Sequence, residues 1–339
     1  MPTAHNSYTT MLRRGILLGS YCLAAGSVVV VFIFRPGISW YYRATFVDMV
    51  YGNAHQPYVY RMLVPTIIRT VSSLTPGWIK EVVRSAGEGT RVIRMLGWEP
   101  QFLFEYAVAV AIFFCSFVGL ALVLRKLIRR FYEFPQAVAD VMPILGLIAL
   151  PIFFRYYSHI YDPATLLLSS LALLYLASDR LIWFYIVFVL ATLNKETSIL
   201  LVALFAVGEY RTMTKGKLAG HLFSLGVIWI GIKSMIDYVY RNNPGSLVEF
   251  HFDHTVNFLF DIPSLLYVLG VLVAGVMLIQ YHWKEKPLLL RRGLLVTLVP
   301  LVGLAAFLGS IDETRGYYEA FPLAFLLTVP TLVDVFNRE

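Results

Sequence analysis

The chain is predicted to be all-α: a polytopic membrane helix bundle of about eight full spans plus one broken or re-entrant helical pair. Three observations carry this prediction. Hydrophobic residues make up 58% of the 339 and charged residues only 14%, where a soluble chain has roughly a quarter charged. The mean hydropathy is +0.69, too apolar for one soluble core to keep in solution. Apolar runs of about 20 residues, the length that crosses a bilayer, recur along the chain. These features exclude a soluble enzyme, a secreted disulfide scaffold and a disordered tail. The surplus of 28 Lys+Arg over 21 Asp+Glu sits mostly beside apolar runs, as basic residues retained in the cytoplasm do. It therefore gives no reason to expect a nucleic acid partner.

The first span is 15–34, behind Arg13-Arg14. It is too long for a signal-peptide core and has no small-x-small exit, so it reads as an uncleaved helix. The next runs are 106–124, closed by the basic stretch 125–130, then 138–154 and 164–177. Later runs are 218–238, 264–280, 293–308 and 320–335, with further basic clusters at 211–217 and 284–292. The short loops on the opposite side hold Arg155, Arg241 and Arg315 but little other positive charge. Both termini are then expected on the cytoplasmic side. Cys22 and Cys115 both fall in apolar runs, which gives no disulfide signal.

The run 181–208 is interrupted by Asn194-Lys195-Glu196-Thr197, and basic residues flank both of its ends. A single crossing would put Lys195 and Glu196 in mid-bilayer and the 211–217 cluster outside. Two half-helices of about a dozen residues reach only about 20 Å, so a hairpin with its tip near the outer leaflet is expected. Irregular backbone at that depth is tolerated only where it lines protein or a wet cavity.

The loop 35–100 is long and not linker-like. Apolar residues at helical spacing in 62–74, 78–84 and 91–96 alternate with Arg and Lys. These segments read as helices lying in the headgroup layer, separated by Pro76-Gly77 and by the glycines at 87 and 89. No repeat or linker divides the chain, so 1–339 is expected to be one transmembrane domain.

No phosphate-binding Gly-rich loop, His-Glu-x-x-His, paired Cys-x-x-Cys or Gly-x-Ser-x-Gly is present. The candidates are instead polar residues expected on the non-cytoplasmic face. Asp48 shares the segment 46–61 with His55, Tyr58, Tyr60 and Arg61. A partly shielded carboxylate can accept a proton from an incoming hydroxyl, and it can equally be a solvated loop acid. The aromatic rings suit a sugar face or an interfacial belt. The planar fork of Arg61 suits phosphate oxygens or lipid headgroups. Lys195 and Glu196 either pair with each other or serve a ligand, because ionisable groups in a membrane segment are functional suspects by default.

Asp162, before Pro163, reads first as a helix N-cap, and His159 as an interfacial ring. Arg315 could hold a phosphate or pair with Asp312, Glu313 or Glu319. His251, Asp253 and His254 offer three clustered ligands without a fourth at a known spacing, so a solvated loop is the better reading. Several cations beside few acids at headgroup depth suit a phosphorylated lipid.

In layout the chain resembles the GT-C superfamily of integral membrane glycosyltransferases: a cytoplasmic N-terminus, one helix, a long first external loop with an acid and surface helices, then a bundle with broken helices. The segments 60–65 (Tyr-Arg-Met-Leu-Val-Pro), 194–197 (Asn-Lys-Glu-Thr) and 313–315 (Glu-Thr-Arg) are similar to segments of small bacterial members. The resemblance implies a bacterial inner-membrane protein with its active site on the periplasmic face. It also implies a polyprenyl-phosphate sugar donor, a lipid-linked or glycan acceptor, and inversion at the anomeric carbon. Asp48 would be the base, and Arg61, Lys195 and Arg315 phosphate contacts. Some members hold a metal on paired acids; Asp48 has no acidic neighbour, which counts against that version, so no cofactor is certain and a divalent cation is an option the resemblance alone offers. The alternative is a transporter or flippase of a lipid-linked or phosphorylated substrate, since broken helices with charged tips also form transporter sites.

Overall fold

A computed structural model describes residues 4–336 apart from 36, 247, 249 and 251. The described residues are helical, without a strand. The elements are α1 (Ala4–Phe34), α2 (Phe46–Tyr51), α3 (Leu63–Leu74), α4 (Gly77–Gly87), α5 (Arg91–Leu96), α6 (Leu103–Phe131), α7 (Gln136–Ala149) and α8 (Asp162–Ala177). There follow α9 (Leu181–Asn194), α10 (Leu200–Glu209), α11 (Lys215–Tyr240), α12 (Phe252–Phe260), α13 (Ile262–Gln280), α14 (Leu288–Leu308) and α15 (Phe321–Phe336). Six described helices are long and apolar enough to cross a membrane, and α8, α9 and α15 are shorter apolar helices. The chain is thus an integral membrane helix bundle, with fewer full-length helices than the eight expected.

The core lies where α6 and α8 meet, with α1 and α7 on one side and α9 on the other. Phe113, Phe117, Leu120, Leu124, Leu173 and Phe188 are wholly buried there. Asp140 of α7 accepts from Arg13 at 2.8 Å and from Arg125 at 2.6 Å, tying α1, α6 and α7 together at one end. Arg130 donates to the Ala177 carbonyl at 2.8 Å at that same end, which we term the basic end.

The segment 181–208 forms the expected hairpin. Asn194, closing α9, donates to the Tyr161 carbonyl at 3.1 Å and the Thr165 hydroxyl at 2.9 Å, so α9 runs antiparallel to α8. Phe184 early in α9 meets Phe205 late in α10, ring centres 5.2 Å apart. A Cβ on Gly208 would stand 2.9 Å from the Leu176 side chain, so the missing Cβ lets α10 approach α8 without displacing Leu176. Both outer ends of the hairpin therefore lie beside the end of α8, and its tip lies at the other end of the bundle.

The loop helices are more than a surface layer. Val64 and Ile68 of α3 are buried against α6 and its neighbours, while Ile67, Val71 and Leu74 stay exposed. By contrast, α4 buries no residue fully. Asp253 and His254 belong to α12 rather than to a loop, and His251 lies outside the described residues. Among the described residues no group of three or more His, Cys, Asp or Glu side chains could hold a metal ion.

Candidate functional site

The end of the bundle opposite the basic end gathers most of the polar residues singled out in the sequence. At its centre is the break after α9. Lys195 has φ −158° and ψ 145°, an extended conformation in which successive side chains point to opposite sides. Lys195 and Glu196 consequently do not pair with each other. Lys195 Nζ lies 2.9 Å from Glu319 Oε1, which also accepts from Thr197. Glu196 turns the other way, to Arg61: Nη2 donates to Oε1 at 2.6 Å and Nε to Oε2 at 3.3 Å.

Arg61 follows the 3-10 turn Tyr58–Tyr60. The next residue, Met62, donates its N–H to the Leu193 carbonyl at 2.9 Å, docking the loop onto the end of α9. The Arg61 guanidinium sits over the Tyr161 ring at 4.4 Å and the Tyr58 ring at 5.1 Å. It also donates to the Tyr161 hydroxyl. Arg315, in the 3-10 turn before α15, reaches that same hydroxyl with Nη1 at 3.1 Å while its Nε donates to Glu313 at 2.6 Å. Burial opposes the charge of both arginines, but Glu196 for Arg61 and Glu313 and Asp162 for Arg315 outweigh it and push both above the ordinary value.

His159 stacks on Tyr161 with ring centres 5.3 Å apart, and it also packs against Tyr58 and Tyr41. Burial first, then the charges of Arg315, Arg61 and Lys195, hold it well below the usual histidine range, so it is neutral at pH 7. Both of its ring nitrogens are buried without a hydrogen-bond partner, as are Asp162 Oδ1, Asn194 Oδ1 and Glu319 Oε2. Asp162 does not cap α8 with its side chain: Oδ2 reaches backwards and accepts from the His159 N–H at 2.9 Å, which braces the turn entering the helix. Below the Lys195–Glu319 pair, Thr165, Ser169, Asn194 and Ser198 help line a cavity of about 10 Å³, the room of one water.

Arg61, Tyr58, His159, Asp162, Lys195, Glu196 and Arg315 are thus one cluster. Tyr60 flanks it, donating to Asp237 of α11 at 2.8 Å. Two predicted residues stay outside. The Asp48 carboxylate accepts from the Thr45 hydroxyl at 2.5 Å, and Thr45 Oγ accepts the Asp48 N–H at 3.2 Å, a reciprocal cap of the short helix α2. The His55 ring lies beside Tyr42. Arg155 is also separate, 3.7 Å from Asp312.

The expected excess of cations over acids does not survive in the structure. Arg61, Arg315 and Lys195 each carry an acidic partner, in Glu196, Glu313 and Glu319. Sequence reasoning offered Glu313 as one partner for Arg315 and passed over the Lys195–Glu319 pairing, together with Tyr161, Trp229, Lys233 and Asp237. For Lys233 and Asp237 a signal was available: two ionisable residues four apart in an apolar helix share a face and are costly in a membrane. For Tyr161 there was none. Chemically, the cluster offers two guanidinium forks and two ammonium groups around an aromatic wall, a donor set matched to phosphate oxygens. The chain matches no family model, and no curated protein or solved structure shows a significant match to it.

Proposed function

We propose that this chain is a membrane glycosyltransferase of the GT-C type, taking a sugar from a polyprenyl-phosphate donor to a hydroxyl of a lipid-linked or glycan acceptor on the non-cytoplasmic face. The observation that carries the reading is the meeting of Arg61 and Arg315 on the Tyr161 hydroxyl, at the end of the bundle away from the basic clusters. Two planar forks at one point suit a phosphate held beside the membrane, with Lys195 behind them. The acceptor oxygen would attack the anomeric carbon as the bond to the phosphate oxygen breaks. The electron pair would leave with the phosphate, the acceptor proton would pass to Asp48, and the configuration would invert. Asp48 is partly exposed, on the loop whose Tyr41 and Tyr58 cover His159, so an acceptor can reach it without opening the buried ion pairs.

The test is turnover in nanodiscs with a panel of polyprenyl-phosphate sugars and crude lipid-linked acceptors. Wild type should release polyprenyl phosphate from one donor. Asp48→Asn should still bind that donor but turn it over about 10²–10⁴-fold more slowly, the usual loss of a general base. Donor binding with no release by wild type, unaltered by Asp48→Asn, would instead favour a transporter or flippase.

A further inference from the structure

Charge is balanced in the cluster, yet one cation has no hydrogen-bond partner. Lys233 Nζ is buried and donates to nothing, an arrangement normally costly for an ammonium group. It lies on the α11 face that also carries Trp229, one turn earlier, and Asp237, one turn later. Trp229 Nε1 donates to the Glu196 carbonyl at 3.1 Å, so α11 fixes the Glu196 backbone beside Lys233. The Lys233 charge acts on the Glu196 carboxylate without an ion-pair contact, because that carboxylate is on Arg61. The Glu196 side chain is 32% exposed while that of Arg61 is 9% exposed, so the acid is the more accessible member of the pair.

An anion that engages the Arg61 fork must displace this carboxylate. Left unpaired beside the incoming charge, Glu196 would repel the ligand. We propose that Lys233 is the second seat of Glu196: a phosphate ester takes the Arg61 guanidinium and the Glu196 carboxylate swings to the Lys233 ammonium. This rests on the reading above that a phosphate-bearing ligand binds here, and adds the exchange that admits it. Lys233 is then a positioning residue, acting through Glu196 rather than on the ligand. The exchange also accounts for an ammonium kept buried and unpaired in the resting protein: it is the vacancy into which the acid moves.

The experiment is a double-mutant cycle on binding in nanodiscs, with a polyprenyl phosphate, inorganic phosphate and phosphatidic-acid-containing vesicles as probes. Lys233→Met should weaken binding by about 30-fold or more in the wild-type background, as loss of one member of a buried charge pair does. In the Glu196→Gln background the same change should cost less than about twofold, the scatter expected of independent sites. Lys233→Arg should restore binding, and Lys233→Gln serves as a second neutral variant should the methionine variant fold poorly. Equal losses in both backgrounds would mean that Lys233 touches the ligand and would overturn the exchange; no loss in either would overturn it too. Binding of polyprenyl phosphate without coupling leaves the donor reading standing and removes the exchange. Coupling seen with inorganic phosphate or phosphatidic acid alone keeps the exchange and removes the donor reading. If wild type binds none of the three, both fall.

Discussion

Arg61 and Arg315 donate to one oxygen, the Tyr161 hydroxyl. They come from the first long loop and from the turn before the last helix, so this hydroxyl joins the two most distant parts of the site. Each guanidinium is also held by its own glutamate, Arg61 by Glu196 and Arg315 by Glu313.

Tyr161→Phe should therefore destabilise the protein by about 1–3 kcal/mol, the cost of leaving buried donors unsatisfied, and weaken phosphate binding at the same time. Thermal unfolding in detergent and a phosphate titration check the two effects together. A variant that unfolds like wild type and binds like wild type would show that the shared hydroxyl is incidental.

Lys195 and Glu319 are both nearly buried, so removing one member strands the other. Lys195→Met alone should cost about 3–5 kcal/mol, whereas Lys195→Met with Glu319→Leu should recover most of that loss. Yield and thermal midpoint of the two variants decide it; a double variant as unstable as the single one would contradict the pairing.

His159 sets a pH dependence. Its folded value lies well below the unfolded one of about 6.5. The unfolded chain accepts a proton that the folded chain refuses, so stability is complete above that value and falls as the pH drops through it. The slope should approach about 1.4 kcal/mol per pH unit. His159→Gln should show a flatter acid limb, measured as thermal midpoint against pH. Parallel curves for the two proteins would remove His159 as the cause.

The α9–α10 hairpin makes a topological prediction. Single cysteines at Ser178 and Thr212, in a background without Cys22 and Cys115, should react with a membrane-impermeant maleimide from the same side. A cysteine at Ser310 should react from the other. Labelling of Ser178 and Thr212 from opposite sides would mean that 181–208 crosses once.

The hairpin and its charged tip were legible because a Lys-Glu pair breaking an apolar run has few explanations, and because basic residues flank both outer ends. The pairing at the tip was not. Adjacent opposite charges suggest a local pair, and only the extended backbone at Lys195 shows that they face apart, to Glu319 and Arg61. Likewise Asp162-Pro163 announces a helix start, but the direction of the carboxylate depends on the turn behind it. Glu313 was legible as a partner of Arg315 because it lies two residues away, whereas Glu319 was invisible as the partner of Lys195, since long-range pairing leaves no local pattern. The apolar spacing of α3 was plain, but spacing alone does not say which neighbour an apolar face meets, and α3 splits its face between α6 and the surroundings.

The helices around the site are short. With 16, 14 and 10 residues in α8, α9 and α10, rising about 1.5 Å per residue, they measure about 24, 21 and 15 Å. The hydrocarbon core of a bilayer is about 30 Å thick. Lipids that border this flank face a hydrophobic mismatch, which a membrane relieves by thinning locally. The headgroup plane would then dip toward Lys195 and Glu196, shortening the descent of any charged headgroup to Arg61. Changing the acyl-chain length of the surrounding lipid should then alter binding at this site.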